Sequence, residues 1–387
     1  MERPSDIRVL VLEGTHRERG QTHGKALKSQ INENIETWKS HLQNVTGTNP
    51  DKYIEQFMKE TKLVAAAKKW TPHLLEEVKG IGEGAGVDFN TIFVWQCADE
   101  EWWYRPYPPV KQEPSGCSSL GCSKIGNNSA VVAQNMDTPN YYDGYQVLLH
   151  IKHNESFESL VFTVAGVIGL NGMNNAPLGI CCNTLLDLNH AADGLPVAFV
   201  VRSVLEQPNV DKAAEFIQKI KHASGQNYII GDAEKAVDFE CSANKVCQYA
   251  PCGGVDRVYH TNHALINADK TASVITLFNK LAKFNFLESQ PKDDAERAML
   301  GAARGYFNTL SRFNFLESQL KDPLKHVNPE VIRAILSSHE SPICVHNTHQ
   351  PGGACTLASM IMVLSSPPEL HLASGPPCLN EYRIFKF

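Results

Sequence analysis

The chain has 387 residues, 42% hydrophobic and 20% charged, an ordinary globular composition for one large domain or two smaller ones with a well-filled core. Its formal net charge of −6 arises from 36 basic and 42 acidic side chains without a block of either sign, which argues against a nucleic-acid partner. The apolar runs are about half as long as a membrane span, and no secretory signal is recognisable at the start, so we expect a soluble cytoplasmic protein. The 11 cysteines lack the spacing of a disulfide scaffold, so we expect reduced thiols.

The first hundred residues are predicted to be mostly helical. Residues 6–13 have the pattern of a strand, and the segment after it has helical apolar spacing. A second helix is expected over 51–70 with Asp51 as its cap. Pro72 stands at the first turn of a third helix that ends in glycines.

The character of the sequence changes after a proline-rich stretch at 104–116, which predicts an exposed irregular connection. CSSLGCSK and AVVAQNMD flank the turn GNN as a hairpin, and later strands, two helices and a three-stranded meander follow up to residue 250. Runs of strands and runs of helices predict an α+β layered fold. FNFLESQ occurs at 284–290 and again at 313–319, which we interpret as a local duplication or a sequence artefact because a solenoid needs several copies.

Cys117 is the candidate with the most distinctive position. A cysteine in a strand is usually a small buried hydrophobe. Cys117, however, follows Gly116 at the junction between the irregular segment and the first strand. Cleavage between them would give Cys117 a free α-amino group, whose pKa near 8 suits it to take the thiol proton and return it to a leaving amine. The product would be a cysteinyl thioester, which water or an amine then resolves.

The segment GCSSLGCSKIGNNSAVVAQNMD resembles the nucleophile hairpin of the acyl-coenzyme A:6-aminopenicillanic acid acyltransferase family, also called peptidase family C45. Members are N-terminal nucleophile hydrolases that cut themselves before a cysteine. Further segments resemble the family in the same order, at 14–24, 166–185, 259–263 and 357–377. The resemblance implies a four-layer αββα sandwich. It also implies a precursor cut into pieces 1–116 and 117–387, which stay together as a heterodimer in one composite domain.

The resemblance also implies roles for particular residues. Cys117 is similar to the nucleophile, Asp137 to an aspartate implicated in processing and catalysis, and Asn262 of HTNH to an oxyanion-hole donor. Ser311 and Arg312 resemble a Ser-Arg pair that stands before a helix. Ser224, followed by Gly225, is a weaker match to a serine near the site.

Cys122 is the alternative nucleophile. A first strand that begins at Cys117 has eight residues to pair across the GNN turn, whereas one that begins at Cys122 has about four and leaves a spacing to Asp137 shorter than the family pattern. Cys117 is therefore favoured.

Other interpretations of these motifs remain open. The HTNH histidines could bind a metal with Cys117, Cys122 or the Cys181-Cys182 pair, but no known zinc spacing supports this. Asp137 could cap the turn DTPN. Residues 102–104, WWY, could line an aromatic pocket or belong to the core.

The function implied is hydrolysis of a small N-acyl amine, such as N-β-alanyl-dopamine or carcinine. The alternatives are an N-acyltransferase that uses acyl-coenzyme A and a non-catalytic relative that only binds amides. No metal or cofactor is implied, and neither nucleic acid nor membrane is an expected partner.

Overall fold

The computed structural model describes residues 7–105, 116–251, 256–272, 294–322, 326–346 and 353–387. The prolines of the predicted connection and the first FNFLESQ copy lie outside these residues. The second copy lies at the end of a long helix.

Helices fill most of the first hundred residues, as predicted. They are α1 to α7, followed later in the chain by α8 to α11, with the bounds His16–Ala26, Lys28–Thr46, Pro50–Glu60, Leu63–Trp70, Pro72–Ala85, Phe89–Trp95, Ala98–Tyr104, Val197–Val204, Val210–Lys219, Asp294–Leu320 and Pro329–Leu336. Of the helices in the described ranges, none has the length and hydropathy needed to cross a bilayer.

The predicted cap at Asp51 is wrong. Asn49 is the N-cap of α3, and its side chain accepts from the backbone N–H of Lys52. Pro50 takes the first helical position, where its missing N–H costs nothing, so Asp51 lies inside the first turn. The single predicted helix over 51–70 is also two helices, because the chain is extended at Thr61.

Fourteen strands in the described residues form two sheets. The strands β1 to β14 are Arg8–Leu12, Ser118–Cys122, Val131–Pro139, Gln146–Lys152, Glu158–Val164, Asn171–Asn174, Gly179–Thr184, Gln226–Gly231, Ala236–Cys241, Val246–Tyr249, Arg257–His260, Ala354–Val363, Glu369–Ala373 and Arg383–Phe385. Sheet A has the order β1-β4-β5-β6-β7-β8-β9-β10, and sheet B has the order β11-β2-β3-β12-β13-β14. The predicted hairpin is β2 and β3, although β2 has five residues rather than eight.

The two sheets pack face to face and helices cover both outer faces, so the four-layer αββα prediction is confirmed. Strands β2 and β3 of sheet B contact β7, β8 and β9 of sheet A. Helices α10 and α11 pack on sheet B, whereas α1, α8 and α9 contact sheet A. The larger core cluster includes residues of the N-terminal helices and the space between the sheets, and a second cluster lies between sheet B and helices α10 and α11.

The N-terminal helices are joined to the rest of the fold by a strand and a buried ion pair. β1 pairs in parallel with β4, with Arg8 opposite Val147. Glu77 of α5 and Arg202 of α8 form two hydrogen bonds of 2.7 and 3.0 Å while both are almost fully buried. Burial opposes the charge of Glu77, but the adjacent Arg202 prevails and holds the pKa of that carboxyl below its usual value.

Helices α1 and α5 are in backbone contact along a seam of glycines. A Cβ atom built on Gly20 would lie 2.0 Å from the carbonyl oxygen of Glu77, and one on Gly80 would lie 2.3 Å from that of Arg17. Gly24 and Gly84 repeat the arrangement one turn later. Only glycine permits this approach, which explains why the segment 14–24 is rich in it.

Candidate active site

The hairpin of β2 and β3 brings Cys117 and Asp137 together at one end of sheet B. The strands are antiparallel and Ser118 pairs with Asn135, so Cys117, which precedes Ser118, lies close to the residues that follow Asn135, including Asp137. The Cys117 thiol lies 4.0 Å from the backbone carbonyl oxygen of Asp137. On the other side of β3, Thr356 of β12 stands opposite Asp137 and its hydroxyl donates to Asp137 Oδ1 at 2.6 Å.

Arg312 holds the peptide group that follows the candidate cleavage site. Its Nη1 donates to the Cys117 carbonyl oxygen at 2.5 Å and to Ser118 Oγ at 3.0 Å. Its Nη2 donates to Asn262 Oδ1 at 2.9 Å, and its Nε donates to Asn308 Oδ1 at 2.8 Å. One buried guanidinium therefore connects the nucleophile candidate to the oxyanion-hole candidate.

Ser311 and Arg312 lie inside α10, not before a helix as expected. Consecutive helical positions point about 100° apart, so the two side chains diverge. Ser311 is exposed and its hydroxyl pairs with Ser341 at 3.1 Å. Of these two side chains, Arg312 is the one that bonds to Cys117.

Gly116 is enclosed by Asn262 and Arg312. A Cβ atom placed on Gly116 would lie 2.2 Å from Asn262 Oδ1 and 2.5 Å from Arg312 Nη2. Asn262 is itself fixed, since its Nδ2 donates to the Thr184 carbonyl oxygen at 3.0 Å and its backbone N–H donates to Thr309 Oγ1 at 2.7 Å. The Gly116–Cys117 peptide bond is therefore beside the side-chain amide of Asn262.

Burial keeps the Cys117 thiol protonated in the uncut chain. It raises the pKa of Cys117 to about 12, and the nearby charges of Asp137 and Asp99 add to the rise. The hydrogen bond to the Asp137 carbonyl and the positive charge of Arg312 act in the opposite direction. At neutral pH this thiol needs a base before it can attack a carbonyl.

Asp137 is placed to titrate near neutrality. Burial raises the pKa of its carboxyl to about 7, against hydrogen bonds from Thr356 and the backbone of Gly116 and the charge of Arg312. Its carboxylate is therefore linked to a neighbouring strand and to the cleavage junction rather than to its own turn.

Cys122 lies on the opposite face of sheet B. It belongs to the apolar cluster beneath α10 and α11 together with Leu120, whereas Cys117 belongs to the cluster between the sheets. Burial raises the pKa of Cys122 to about 12, with Arg257 as its charged neighbour. This position favours Cys117 over Cys122 as the nucleophile.

The remaining sequence candidates have other partners. His260 Nε2 bonds to Glu240 at 2.9 Å, and His263 Nδ1 contacts Thr309 Oγ1 at 3.1 Å, so the HTNH histidines are engaged with protein oxygens. Tyr104 packs edge-on against the rings of Tyr53 and Phe57 at the margin of the core.

Two acidic residues of α7 were not singled out from the sequence. Asp99 accepts from Thr184 Oγ1 at 2.7 Å and from Gln226 Nε2 at 2.6 Å. Glu100 accepts from Ser224 Oγ at 2.7 Å, which gives the weak serine candidate a place beside the site. Burial raises the pKa of Glu100 to about 7, with the charge of Asp99 as the second cause. The run of three acids before two tryptophans, DEEWW, was the available signal.

Polar atoms near these acids are left for a ligand. Among the described residues, Glu100 Oε2, Gln226 Oε1 and Trp103 Nε1 are buried without a hydrogen-bond partner. Buried polar atoms are nearly always paired, so the two oxygens of Glu100 and Gln226, residues that both bond to Ser224, are candidates to accept hydrogen bonds from a ligand.

Comparison with known proteins gives the same family as the motifs. Residues 124–365 match the family of acyl-coenzyme A:6-aminopenicillanic acid acyl-transferase, a span that contains Asp137, Asn262 and Arg312. The 40 kDa form of that acyltransferase from Emericella nidulans is 28% identical over 265 residues, which are 68% of this chain and 71% of the relative.

Two more distant likenesses accompany this match. The β-alanyl-dopamine/carcinine hydrolase of Drosophila melanogaster is 27% identical over 55% of this chain, and the match spans 57% of that protein. The structure of penicillin V acylase from Agrobacterium tumefaciens superposes with a TM-score of 0.40 at 12% identity, over 69% of this chain and 84% of that one. Because the family match covers more than half of the residues, the chain belongs to the acyl-coenzyme A:6-aminopenicillanic acid acyl-transferase family.

Proposed function

We propose that this enzyme cuts its own chain between Gly116 and Cys117 and then uses the new N-terminal cysteine to hydrolyse a small N-acyl amine. Membership of the family makes the chain an amidase or acyltransferase of the N-terminal nucleophile type. The observation that carries the finer proposal is the set of contacts made by Arg312. It joins the Cys117 carbonyl oxygen to Asn262, whose side chain adjoins Gly116.

Self-cleavage would begin with proton transfer from the Cys117 thiol, and Asp137 is the base we assign to that step. The thiolate attacks the carbonyl carbon of Gly116, the C–N bond breaks, and the peptide nitrogen takes the proton from Asp137 and leaves as the α-amino group of Cys117. Water then hydrolyses the resulting thioester between Gly116 and the Cys117 sulfur, which frees the carboxylate of Gly116 and the thiol. Arg312 Nη2 and Asn262 Oδ1 both lie beside Gly116, so the guanidinium is the donor there. Asn262 would stabilise the oxyanion only through Nδ2, which donates to the Thr184 carbonyl oxygen in the uncut chain.

In the mature enzyme the α-amino group of Cys117 would replace Asp137 as the base for the thiol. Attack on a substrate amide forms a thioester and releases the amine, which takes the proton back. Water completes hydrolysis, whereas an amine acceptor would give acyl transfer. The likeness to the Emericella acyltransferase is the observation that keeps transfer as a second candidate.

The acids of α7 support a substrate with a cationic amine. Asp99 is close enough to raise the pKa of Cys117, and Glu100 follows it with one unpartnered carboxylate oxygen. An ammonium group donates hydrogen bonds and is positively charged, so the carboxylate oxygens of Asp99 and Glu100 can accept its hydrogen bonds and balance its charge. β-Alanyl amides such as carcinine carry that group on the acyl side.

The substrate experiment compares carcinine with N-propionylhistamine, which has the same acyl length without the amine. We expect kcat/KM for carcinine to be higher by at least about tenfold, the worth of a charge-assisted hydrogen bond. Asp99→Asn should lower the ratio of kcat/KM for carcinine to kcat/KM for N-propionylhistamine. Equal turnover of both compounds would contradict the cationic subsite, and release of free coenzyme A from an acyl-coenzyme A plus an amine, without hydrolysis, would favour the transferase.

The rate of self-cleavage should depend on pH through Asp137. Only the ionised carboxylate can take the thiol proton, and its pKa of about 7 means that the rate rises with pH and levels off above that value. Each pH unit below should lower the rate about tenfold. Thr356→Val removes a hydrogen bond that lowers the pKa of Asp137, so its profile should shift to higher pH.

The control for this shift is Thr356→Ser, which keeps the hydroxyl and should retain the wild-type profile. Precursor isolated by rapid refolding, with cleavage followed by intact mass at a series of pH values, gives the measurement. A profile that Thr356→Val leaves in place would show that Asp137 does not set the rate.

A further inference from the structure

Four side chains of zinc-binding type converge at the surface near the C-terminus. His339, Cys344, His346 and Cys378 each offer a ligand atom, and these atoms lie within 4.8 Å of one another. The Cys344 and Cys378 sulfur atoms are 3.4 Å apart, and His346 Nε2 is 2.9 Å from Cys378 Sγ. The rings of His339 and His346 meet edge to face at 5.0 Å.

We infer that His339, Cys344, His346 and Cys378 form a binding site for Zn²⁺. Two thiolates and two imidazoles are a common ligand set for structural zinc. In a tetrahedron with the usual zinc bond lengths, sulfur atoms lie about 3.8 Å apart and a sulfur lies about 3.5 Å from a nitrogen. The observed separations need only small side-chain adjustments to reach that geometry.

The backbone on both sides of the cluster is already fixed. Asn135 donates to the carbonyl oxygens of Leu336 and Ile343, just before Cys344. On the other side, the backbone N–H groups of Leu379 and Asn380 donate to the Pro376 carbonyl oxygen in a turn that contains Cys378. Ligands held in this way lose little freedom when a metal binds.

A disulfide is the competing outcome for the two cysteines. It would account for the approach of Cys344 to Cys378, but not for the two histidines directed at the same point. All four side chains find a role only around a cation. His339, His346 and Cys378 are exposed, which gives a metal ion a path to the site.

The site would act on the enzyme through the residue after Cys344. The Val345 N–H donates to Thr356 Oγ1 at 2.9 Å, and Thr356 in turn donates to Asp137. Zinc would therefore stabilise the loop that orients Thr356. This role is independent of the substrate, so the proposal does not rest on the proposed function.

The test is the zinc content of the full-length protein after incubation with ZnCl₂ and removal of unbound metal. We expect one equivalent in the wild type and its loss in Cys378→Ser and in His346→Gln, both exposed positions whose change should not impair folding. Cys247→Ser, a half-buried thiol on β10, should keep the metal. His73→Gln should keep it too, which excludes the separate His16, His73 and Glu206 group as the source.

A second readout uses Co²⁺ in place of zinc. Tetrahedral cobalt bound to thiolates gives intense visible and near-ultraviolet absorption, which Cys378→Ser should abolish. Wild type that retains no metal, variants that retain as much as the wild type, or a Cys344–Cys378 disulfide found by peptide mapping of protein purified with zinc would each overturn the proposal.

Discussion

Cys117→Ala should leave the purified protein as one uncut chain and lower amide hydrolysis by at least about a thousandfold. The variant lacks the thiol that lies beside the Asp137 carbonyl oxygen. It keeps the backbone carbonyl of residue 117 to which Arg312 donates. Denaturing gels and intact mass give the cleavage state, and product release from carcinine gives the activity. The wild type should show two pieces, the larger one beginning at Cys117.

Cys122→Ala is the matched control, since it removes a second thiol five residues away. Its side chain faces α10 and α11, so the change should cost about 1 kcal/mol of stability and leave cleavage intact. A new N-terminus at Cys122, or normal processing of Cys117→Ala, would transfer the nucleophile role away from Cys117. Wild type that stays whole under all conditions would favour the amide-binding relative.

Arg202→Met should lower the free energy of unfolding by about 3–5 kcal/mol, because it leaves the buried Glu77 carboxylate without its cation and with only the His16 ring, at 3.3 Å, as a partner. Arg202 also donates to the Ile168 carbonyl oxygen at 2.8 Å, and that acceptor loses its partner too. Urea denaturation in the Cys117→Ala background, where both proteins are single chains, gives a clean comparison.

Arg17→Met provides the control for this loss. Arg17 pairs with Glu76 and Glu83 on the same helix as Glu77, but its side chain is 36% exposed, so its removal should cost no more than about 1 kcal/mol. Adding Glu77→Leu to Arg202→Met should recover part of the stability, since the carboxylate that lost its partner is then removed as well. If Arg202→Met and Arg17→Met lowered the free energy of unfolding equally, burial would not be what makes the Glu77–Arg202 ion pair costly to break.

Local sequence patterns predicted most of the helices and strands, but they could not predict which distant segments contact one another. The GNN turn between two alternating segments was enough to predict the β2–β3 hairpin, and the position of Pro72 predicted the start of α5. The four residues of β6, NGMN, carry no strand pattern, so this strand could not be predicted from its own sequence. Asn49 was missed as a cap because the helix starts at Pro50, so its cap lies two positions before the predicted Asp51.

The candidate site shows the same division. Cys117, Asp137 and Asn262 stand in motifs that can be recognised alone, but the contact of Arg312 with Cys117 spans 195 positions and depends on which way α10 turns its faces. The zinc ligands escaped notice because Cys378 is 32 positions from His346, far from any known spacing. Asp99 and Glu100 could not be recognised from the sequence, because their partners Gln226 and Ser224 are more than 120 positions away.

The parallel pairing of β1 with β4 places a demand on the order of folding. The paired residues Arg8 and Val147 are about 140 positions apart, so this edge of sheet A is a long-range contact that must close a large loop at a cost in chain entropy. A chain severed at residue 116 before that closure would have to bring two separate molecules together. Arg312 and Asn262, which we place at the scissile bond, both follow β4 in the chain. If cleavage requires Arg312 and Asn262, it cannot occur before β4, the partner of β1, has been synthesised. β1 and β4 then pair while they still belong to one chain.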